Sequence, residues 1–132
     1  EPTAGLDTQS RHMLWELIRG LNKRGKTVFI TTHYMDEAEE LCDRVAIIDH
    51  GRIVRSGTPD ELRDSIGRWT VEYHESGTKR YVYFGEWEKA RAFVSQMPEG
   101  AAAGIRATNL EDVFLETTGR DVQATEEVRF RI

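Results

Sequence analysis

The first half of the chain alternates between helical and extended hydrophobic patterns. Four apolar residues share the spacing of one helix face: Leu14, Leu17, Ile18 and Leu21. Asp7 precedes this helix as a candidate N-cap. Residues 27–31 and 45–48 are nearly continuous apolar runs, and a short acidic helix is predicted between them over residues 35–42. Such runs are typical of strands covered on both faces, as in a parallel sheet.

The second half shows the alternation of half-buried strands. Apolar and polar residues alternate over residues 69–74, a Ser-Gly turn follows, and residues 80–84 predict the second strand of a hairpin. A helix is predicted over residues 86–97, and a short strand over residues 105–107. Antiparallel pairing is therefore expected here, in contrast to the first half.

Two capping-box patterns predict helix starts in the second half. Thr58 and Glu61 frame Pro59, which suits the first position of a helix. Thr108 and Glu111 have the same spacing before a second apolar helix face. We expect each threonine to be the N-cap of its helix.

These patterns predict two units and a tail. Residues 1–57 are expected to form an α/β unit with parallel strands, and residues 58–119 a small α+β domain with an antiparallel hairpin. Residues 120–132 are charged and unpatterned, which is typical of a flexible tail.

Composition restricts the class of protein. The chain has 132 residues, of which 39% are hydrophobic and 31% charged, as in soluble globular proteins. No apolar run approaches the roughly 18 residues of a membrane helix. The net charge of −5 argues against a nucleic-acid partner. Cys42 is the only cysteine, so no disulfide can form within the chain, and we expect it to pack in the core. The chain opens on Glu1 without a methionine, which suggests a piece of a longer protein.

Three segments within residues 1–59 have the form of recognisable motifs. They are Glu1-Pro-Thr-Ala-Gly-Leu-Asp, Thr-Thr-His at residues 31–33, and Asp-Arg-Val-Ala-Ile-Ile-Asp-His-Gly-Arg-Ile at residues 43–53, followed by Gly-Thr-Pro at residues 57–59. In order and spacing they resemble the end of Walker B with the D-loop, the H-loop and the end of the ATPase domain in ABC transporters. The resemblance implies that residues 1–57 are the C-terminal remnant of a P-loop NTPase domain.

The resemblance also implies roles for individual residues. Glu1 holds the position of the catalytic carboxylate that orients and polarises the attacking water. His33 holds the position of the switch histidine, which donates a hydrogen bond to the γ-phosphate. Gly5 and Asp7 match the D-loop, in which the aspartate reaches across a dimer interface toward the partner's ATP.

Each of these residues also has an ordinary structural interpretation. Glu1 could be a solvated carboxylate, Asp7 a helix N-cap, and His33 a structural histidine. The histidines outside the motifs are interpreted as surface residues: His12, His50 and His74. Aromatic residues that could stack on bases are interpreted instead as the core of the hairpin: Trp69, Tyr73, Tyr81 and Tyr83.

A run of acidic side chains raises the question of a metal site. The residues are Glu37, Glu39, Glu40 and Asp43. Oxygen-only sites need ligands that converge, which one helix does not provide, so we interpret the run as a solvated helix face. No metal ligand is predicted.

Several ABC motifs are missing from the sequence. It contains no phosphate-binding Gly-x-x-x-x-Gly-Lys-[Ser/Thr] loop, no Gln-loop, no Ser-Gly-Gly signature and no aspartate before Glu1. ATP and Mg²⁺ are therefore expected in the intact parent, and no tightly bound cofactor in this fragment. The fragment alone is expected to be inactive. Strand edges left unpaired also predict that it self-associates.

Residues 109–119, Asn-Leu-Glu-Asp-Val-Phe-Leu-Glu-Thr-Thr-Gly, resemble the C-terminal extension of drug-export ABC subunits related to the daunorubicin-resistance ATPase. This resemblance implies a homodimeric ATPase subunit that powers export of a drug, antibiotic or related substrate. It would bind integral membrane permease subunits and lie in the cytoplasm, at the inner face of the cell membrane. Two alternatives stay open: a non-transport ABC ATPase, and a self-contained dimerisation or regulatory domain formed by residues 58–132.

Overall fold

The computed structural model describes residues 1–119 and the backbone of residues 130–131. The helices are α1 (Thr8–Lys23), α2 (Met35–Leu41), α3 (Pro59–Ile66), α4 (Trp87–Ser95) and α5 (Leu110–Thr118). The strands are β1 (Thr31–Thr32), β2 (Val45–Asp49), β3 (Arg52–Gly57), β4 (Trp69–Glu75), β5 (Thr78–Phe84), β6 (Ala103–Ala107) and β7 (Phe130–Arg131). The protein is thus a small α+β structure with antiparallel sheets.

The second half forms a three-stranded antiparallel sheet in the order β5-β4-β6. The predicted hairpin is confirmed, and its two-residue loop has positive φ at both Ser76 (52°) and Gly77 (76°), as such tight hairpins require. Helix α4 covers the sheet through Ala90, which is fully buried, and through the Trp87 ring, whose centroid lies 4.8 Å from that of Trp69.

Strands β2 and β3 form a second hairpin. Its two-residue loop also has positive φ at both positions, His50 (50°) and Gly51 (75°). Val45 and Ile47 point inward from β2 and are 4% and 2% exposed. Strand β2 therefore contributes the buried side of this hairpin.

One hydrophobic core joins the two halves of the chain. Its buried members are Met35, Ala38, Val45, Ile47, Leu62, Leu110, Val113 and Phe114. Four of these precede residue 58 and four follow it. Cys42 packs against this core as expected, and burial raises the pKa of its thiol to about 11. Residues 1–57 and 58–119 are thus in direct hydrophobic contact.

The parallel strands expected in residues 1–57 are not present in the described part of the chain. Residues 27–30 form no strand, and Phe29 is 80% exposed. Only Thr31–Thr32 is extended, and it pairs antiparallel with Phe130–Arg131. Strand β2 likewise pairs antiparallel with β3. An apolar run forms a ladder only where a neighbour offers backbone partners, and residues 27–30 have none among the described residues.

The start of α5 differs from the prediction by one residue. Asn109, not Thr108, is the N-cap, and Asp112, not Glu111, completes the capping box. The Thr108 hydroxyl is used elsewhere, because it donates to the Gly67 carbonyl at 2.5 Å. The capping box of α3 and the N-cap of α1 lie where the sequence predicts them.

The predicted tail lies largely outside the described residues, which omit 120–129 and 132. Phe130–Arg131 form β7 beside β1. Within the described part of the chain, no helix is both long and apolar enough to cross a membrane.

Candidate functional site

The structure brings the two predicted catalytic residues into contact. The Nδ1 atom of His33 lies 2.7 Å from Oε1 of Glu1, although the residues are 32 positions apart. Their side chains are 36% and 34% exposed, so solvent reaches the pair.

His33 lies in the short connection between β1 and α2. Thr32 ends the strand, and its Oγ1 accepts a hydrogen bond from the backbone N–H of Tyr34 at 3.0 Å. The imidazole of His33 lies against the Tyr34 ring, with centroids 4.2 Å apart. The histidine therefore follows the carboxyl end of strand β1, and its H-loop role stays a prediction.

The hydrogen bond to Glu1 determines which protons the imidazole of His33 can donate. A carboxylate only accepts, so Nδ1 of His33 donates to Oε1 of Glu1. In a neutral imidazole the second nitrogen, Nε2, is then an acceptor. Donation to a phosphate oxygen therefore requires either a doubly protonated His33 or release of Glu1.

Asp7 and Gly5 shape the turn between Glu1 and α1. Asp7 is the N-cap of α1 and accepts from the Ser10 backbone N–H at 2.8 Å. Hydrogen bonds from Ser10, first from its side chain and then from its backbone, hold the pKa of Asp7 below its usual value. Gly5 has a φ of +76°, in the left-handed region that favours glycine. The helix-cap interpretation of Asp7 is confirmed, and the D-loop role stays a prediction.

A buried polar cluster that the sequence did not reveal lies beneath the Glu1–His33 pair. Oε2 of Glu37 accepts from Oγ1 of Thr3 at 3.0 Å and from Oγ1 of Thr32 at 2.7 Å. Thr3, Thr32 and Glu37 are 2%, 0% and 0% exposed. We name these three residues the Glu37 cluster. It ties the turn after Glu1 to the strand before His33.

The solvated-face interpretation of α2 is wrong for Glu37. Its neighbours differ: Glu40 is exposed and pairs with Arg19, and Glu39 pairs with Arg63 of α3. Helical spacing gave no sign of this, because Glu37 does not share the i, i+3 spacing of the inward residues Met35 and Ala38. No group of three or more potential metal ligands occurs among residues 1–119 and 130–131.

A second polar cluster lies in the three-stranded sheet. Asp112, 3% exposed, accepts two hydrogen bonds from Arg106 at 2.6 and 2.7 Å and one from Thr70 at 3.2 Å. Arg106 also donates to Glu72 at 2.6 Å and holds the pKa of that carboxyl below its usual value. These contacts join β4, β6 and α5. Their partners are all within the protein, which indicates a structural role.

Comparison with known proteins identifies relatives of the predicted class. Over an alignment of 143 residues, the chain is 39% identical to the Nod factor export ATP-binding protein I of Burkholderia lata, and the alignment covers 93% of this chain and 47% of that protein. Proteins of the same name from Rhizobium etli and Mesorhizobium japonicum are also 39% identical, with 45% and 42% of their lengths covered. The chain is homologous to ATP-binding proteins of export systems.

The chain spans about half the length of the curated relatives it matches. No family model matches it. The relatives therefore support an ATP-binding protein of an export system. The activity, substrate and partners of the whole protein are proposed below.

Proposed function

We propose that this chain is part of the ATP-hydrolysing subunit of an ABC-type exporter. The observation that carries the proposal is the 2.7 Å contact between Glu1 and His33, the two residues to which the motifs assign hydrolysis. A contact between residues so far apart in the sequence requires the turn after Glu1 and strand β1 to lie side by side. If Glu1 were only a solvated side chain and His33 an unrelated surface histidine, no such arrangement would be needed.

In the intact subunit, Glu1 would hold a water in line with the γ-phosphate and accept a proton as the oxygen attacks. His33 would donate a hydrogen bond to a γ-phosphate oxygen, where negative charge must be stabilised. ATP and Mg²⁺ belong to this reaction, and the phosphate-binding loop would come from outside this chain. Asp7 and Gly5 would lie at the interface with a second ATPase subunit, close to the partner's nucleotide.

The exposed apolar surface of the first half supports membership of a larger domain. Four large apolar side chains of α1 and the segment after it are 45–80% exposed: Met13, Leu17, Leu21 and Phe29. Single exposed apolar residues are common, but four within 17 positions indicate a face that normally packs against protein. In our proposal that face and residues 27–31 join the rest of the ATPase domain, where parallel strand neighbours would be supplied. In the isolated fragment the same face favours self-association.

Residues 58–119 would act as the C-terminal accessory part of a drug-export type of subunit. The resemblance implies a drug or antibiotic as the exported substrate. The relatives are named for export of Nod factor, which is a second candidate substrate. The subunit would bind integral permease subunits and so lie in the cytoplasm, at the inner face of the membrane. The export relatives give no support to a non-transport ATPase, and the core shared across residue 58 gives none to a self-contained C-terminal domain.

The test is ATP hydrolysis by the full-length subunit and its Glu1→Gln variant. Loss of the general base should lower kcat by about 100-fold or more while ATP still binds. Glu16→Gln, which makes the same chemical change at an exposed position of α1, should leave kcat unchanged. A Glu1→Gln variant that retains more than a third of the wild-type kcat would refute the proposal. The 132-residue chain alone should show no ATPase activity above background, and measurable turnover would refute that expectation.

A further inference from the structure

The Glu37 cluster connects the two segments that carry the predicted catalytic residues. Thr3 is two positions after Glu1, and Thr32 is one position before His33. Both hydroxyls donate to the same oxygen of Glu37, Oε2, at 3.0 and 2.7 Å. A change at this one atom therefore reaches both sides of the Glu1–His33 contact.

The hydrogen bonds of the Glu37 cluster fix the orientation of both threonine hydroxyls. Thr32 uses its proton for Glu37 and its lone pair for the backbone N–H of Tyr34, so its hydroxyl cannot rotate without losing one of them. Thr3 similarly commits its proton to Glu37. Oε2 of Glu37 is the common acceptor of both hydroxyl protons. The connection is therefore short, buried and specific in geometry.

Stability alone does not account for a carboxylate at this position. Glu37 is fully buried, and its second oxygen, Oε1, has no hydrogen-bond partner. Among the described residues, no basic side chain forms an ion pair with it. Burying a carboxyl group with one oxygen unpartnered is unfavourable, and an apolar residue of similar volume often gives a more stable fold. A carboxylate here is better explained by the two segments that it holds together than by a gain in stability.

We infer that Glu37 is a positioning residue for ATP hydrolysis, which sets the distance and orientation between Glu1 and His33. The inference rests on the proposed function, because the distance between Glu1 and His33 affects catalysis only if these two residues hydrolyse ATP. Glu37 contacts neither predicted catalytic side chain in the described hydrogen bonds, so it acts through Thr3 and Thr32. Its effect should fall on kcat and not on the KM for ATP, since the geometry of the attacking water matters most in the transition state.

The experiment compares steady-state ATP hydrolysis by variants of the full-length subunit. Glu37→Leu removes the acceptor at similar volume, and we expect kcat to fall by about 10- to 100-fold with KM changed by less than about twofold. Glu37→Gln can place its amide oxygen where Oε2 lies and accept both bonds, so it should restore kcat to within about threefold of the wild type. Thr3→Val removes one donor at nearly constant shape and should lower kcat by about 10-fold.

Two matched controls separate position from chemical change. Glu40→Gln alters an exposed carboxylate of the same helix, and Thr78→Val removes an exposed hydroxyl from β5. Both should keep the wild-type kcat and KM. The folded fraction of every variant is measured by thermal unfolding. If Glu37→Leu does not fold, Thr3→Val decides the question, because it leaves the carboxylate and most of the packing in place.

The outcomes also distinguish this inference from the proposed function. If Glu1→Gln is inactive while folded Thr3→Val and Glu37→Leu both keep kcat within about twofold of the wild type, the positioning role is wrong and the proposed function stands. An equal loss in Glu37→Gln and Glu37→Leu, or a loss that appears in KM alone, also overturns the positioning role. A full-length subunit without ATPase activity overturns both.

Discussion

The most informative test of the fold is the removal of the Phe114 side chain. Phe114 belongs to α5 and is 1% exposed in the core. That core also contains Ala38 and Ile47 from the first half of the chain and Leu62 from α3. Phe114→Ala therefore removes volume at a point that the two predicted units share, and its effect should be felt on both sides of residue 58.

The magnitude follows from the burial of the ring. Truncating a fully buried phenylalanine to alanine costs about 3–5 kcal/mol, which combines the lost transfer free energy and the cavity left behind. For a chain of this size, that loss corresponds to a fall in Tm of roughly 10–20 °C. Phe114→Leu, which keeps most of the volume, is the matched control and should cost less than about 1.5 kcal/mol.

The assay is urea unfolding of the 132-residue chain, followed by NMR cross-peaks on each side of the predicted boundary. Ile47 reports on β2 and Val71 on β4, and both are buried. We expect the two midpoints to coincide in the wild-type chain and to fall together in Phe114→Ala. A loss below about 1.5 kcal/mol, or a shift of the Val71 midpoint alone, would refute the view that one core stabilises both halves.

Two further predictions concern titratable groups. The guanidinium of Arg106 holds the pKa of Glu72 below its usual 4.5. The ionised Glu72 therefore stabilises the folded state at a pH above 4.5. This stabilisation is lost as the pH falls through the lower pKa of the folded state. Chemical unfolding between about pH 5 and pH 3 should show a shallower pH dependence in Glu72→Gln than in the wild type, by at most about 1 kcal/mol, and equal slopes would contradict the assignment. Burial raises the pKa of Cys42 from 9.0 to about 11, so its thiol stays protonated in the folded chain while the unfolded chain ionises. Stability should therefore fall as the pH rises from 9 to 11, and at pH 8.5 iodoacetamide should modify the folded chain more slowly than the chain in urea; equal rates would count against burial of the thiol.

Local signals in the sequence predicted most of the secondary structure. The capping box of α3 depends on Thr58 and Glu61, which are three positions apart, and it forms as predicted. The His50-Gly51 loop likewise needs positive φ at both positions and little else. These features depend on backbone chemistry within a few residues, so no tertiary information is needed to find them.

Tertiary contacts determined what the sequence left ambiguous. The pairs Thr108–Glu111 and Asn109–Asp112 both have capping-box spacing, and the Thr108 hydroxyl is engaged instead by the Gly67 carbonyl and the Thr70 hydroxyl. The apolar run at residues 27–31 predicts a strand, yet a strand needs backbone partners that periodicity cannot supply. Among the described residues, the lack of a ladder at residues 27–30 and the exposure of Phe29 have this common cause.

In the candidate site, too, tertiary contacts determine features that local sequence signals do not predict. The spacing of Glu1 and His33 predicts no contact, and the resemblance to a known family assigned each residue a role without placing one against the other. Glu37 was hidden for a different reason: an acidic residue in an acidic helix has the pattern of a solvated face. Its burial follows from the approach of Thr3 and Thr32, which are 29 positions apart in the sequence and supply the two donors. Polar residues that satisfy one another in the interior leave no hydrophobic signature.

The contact between Glu1 and His33 also describes a state that must change during the proposed reaction. As long as Nδ1 of His33 donates to Glu1, a neutral imidazole offers a phosphate only an acceptor. The carboxylate, in turn, has one oxygen engaged by the histidine and less capacity to hold a water. A γ-phosphate that draws His33 toward itself would release both constraints at once, because it provides the acceptor for the imidazole and frees Glu1 for the water. The buried Glu37 cluster is suited to this exchange, since it can hold the two backbones in register while the exposed side chains change partners.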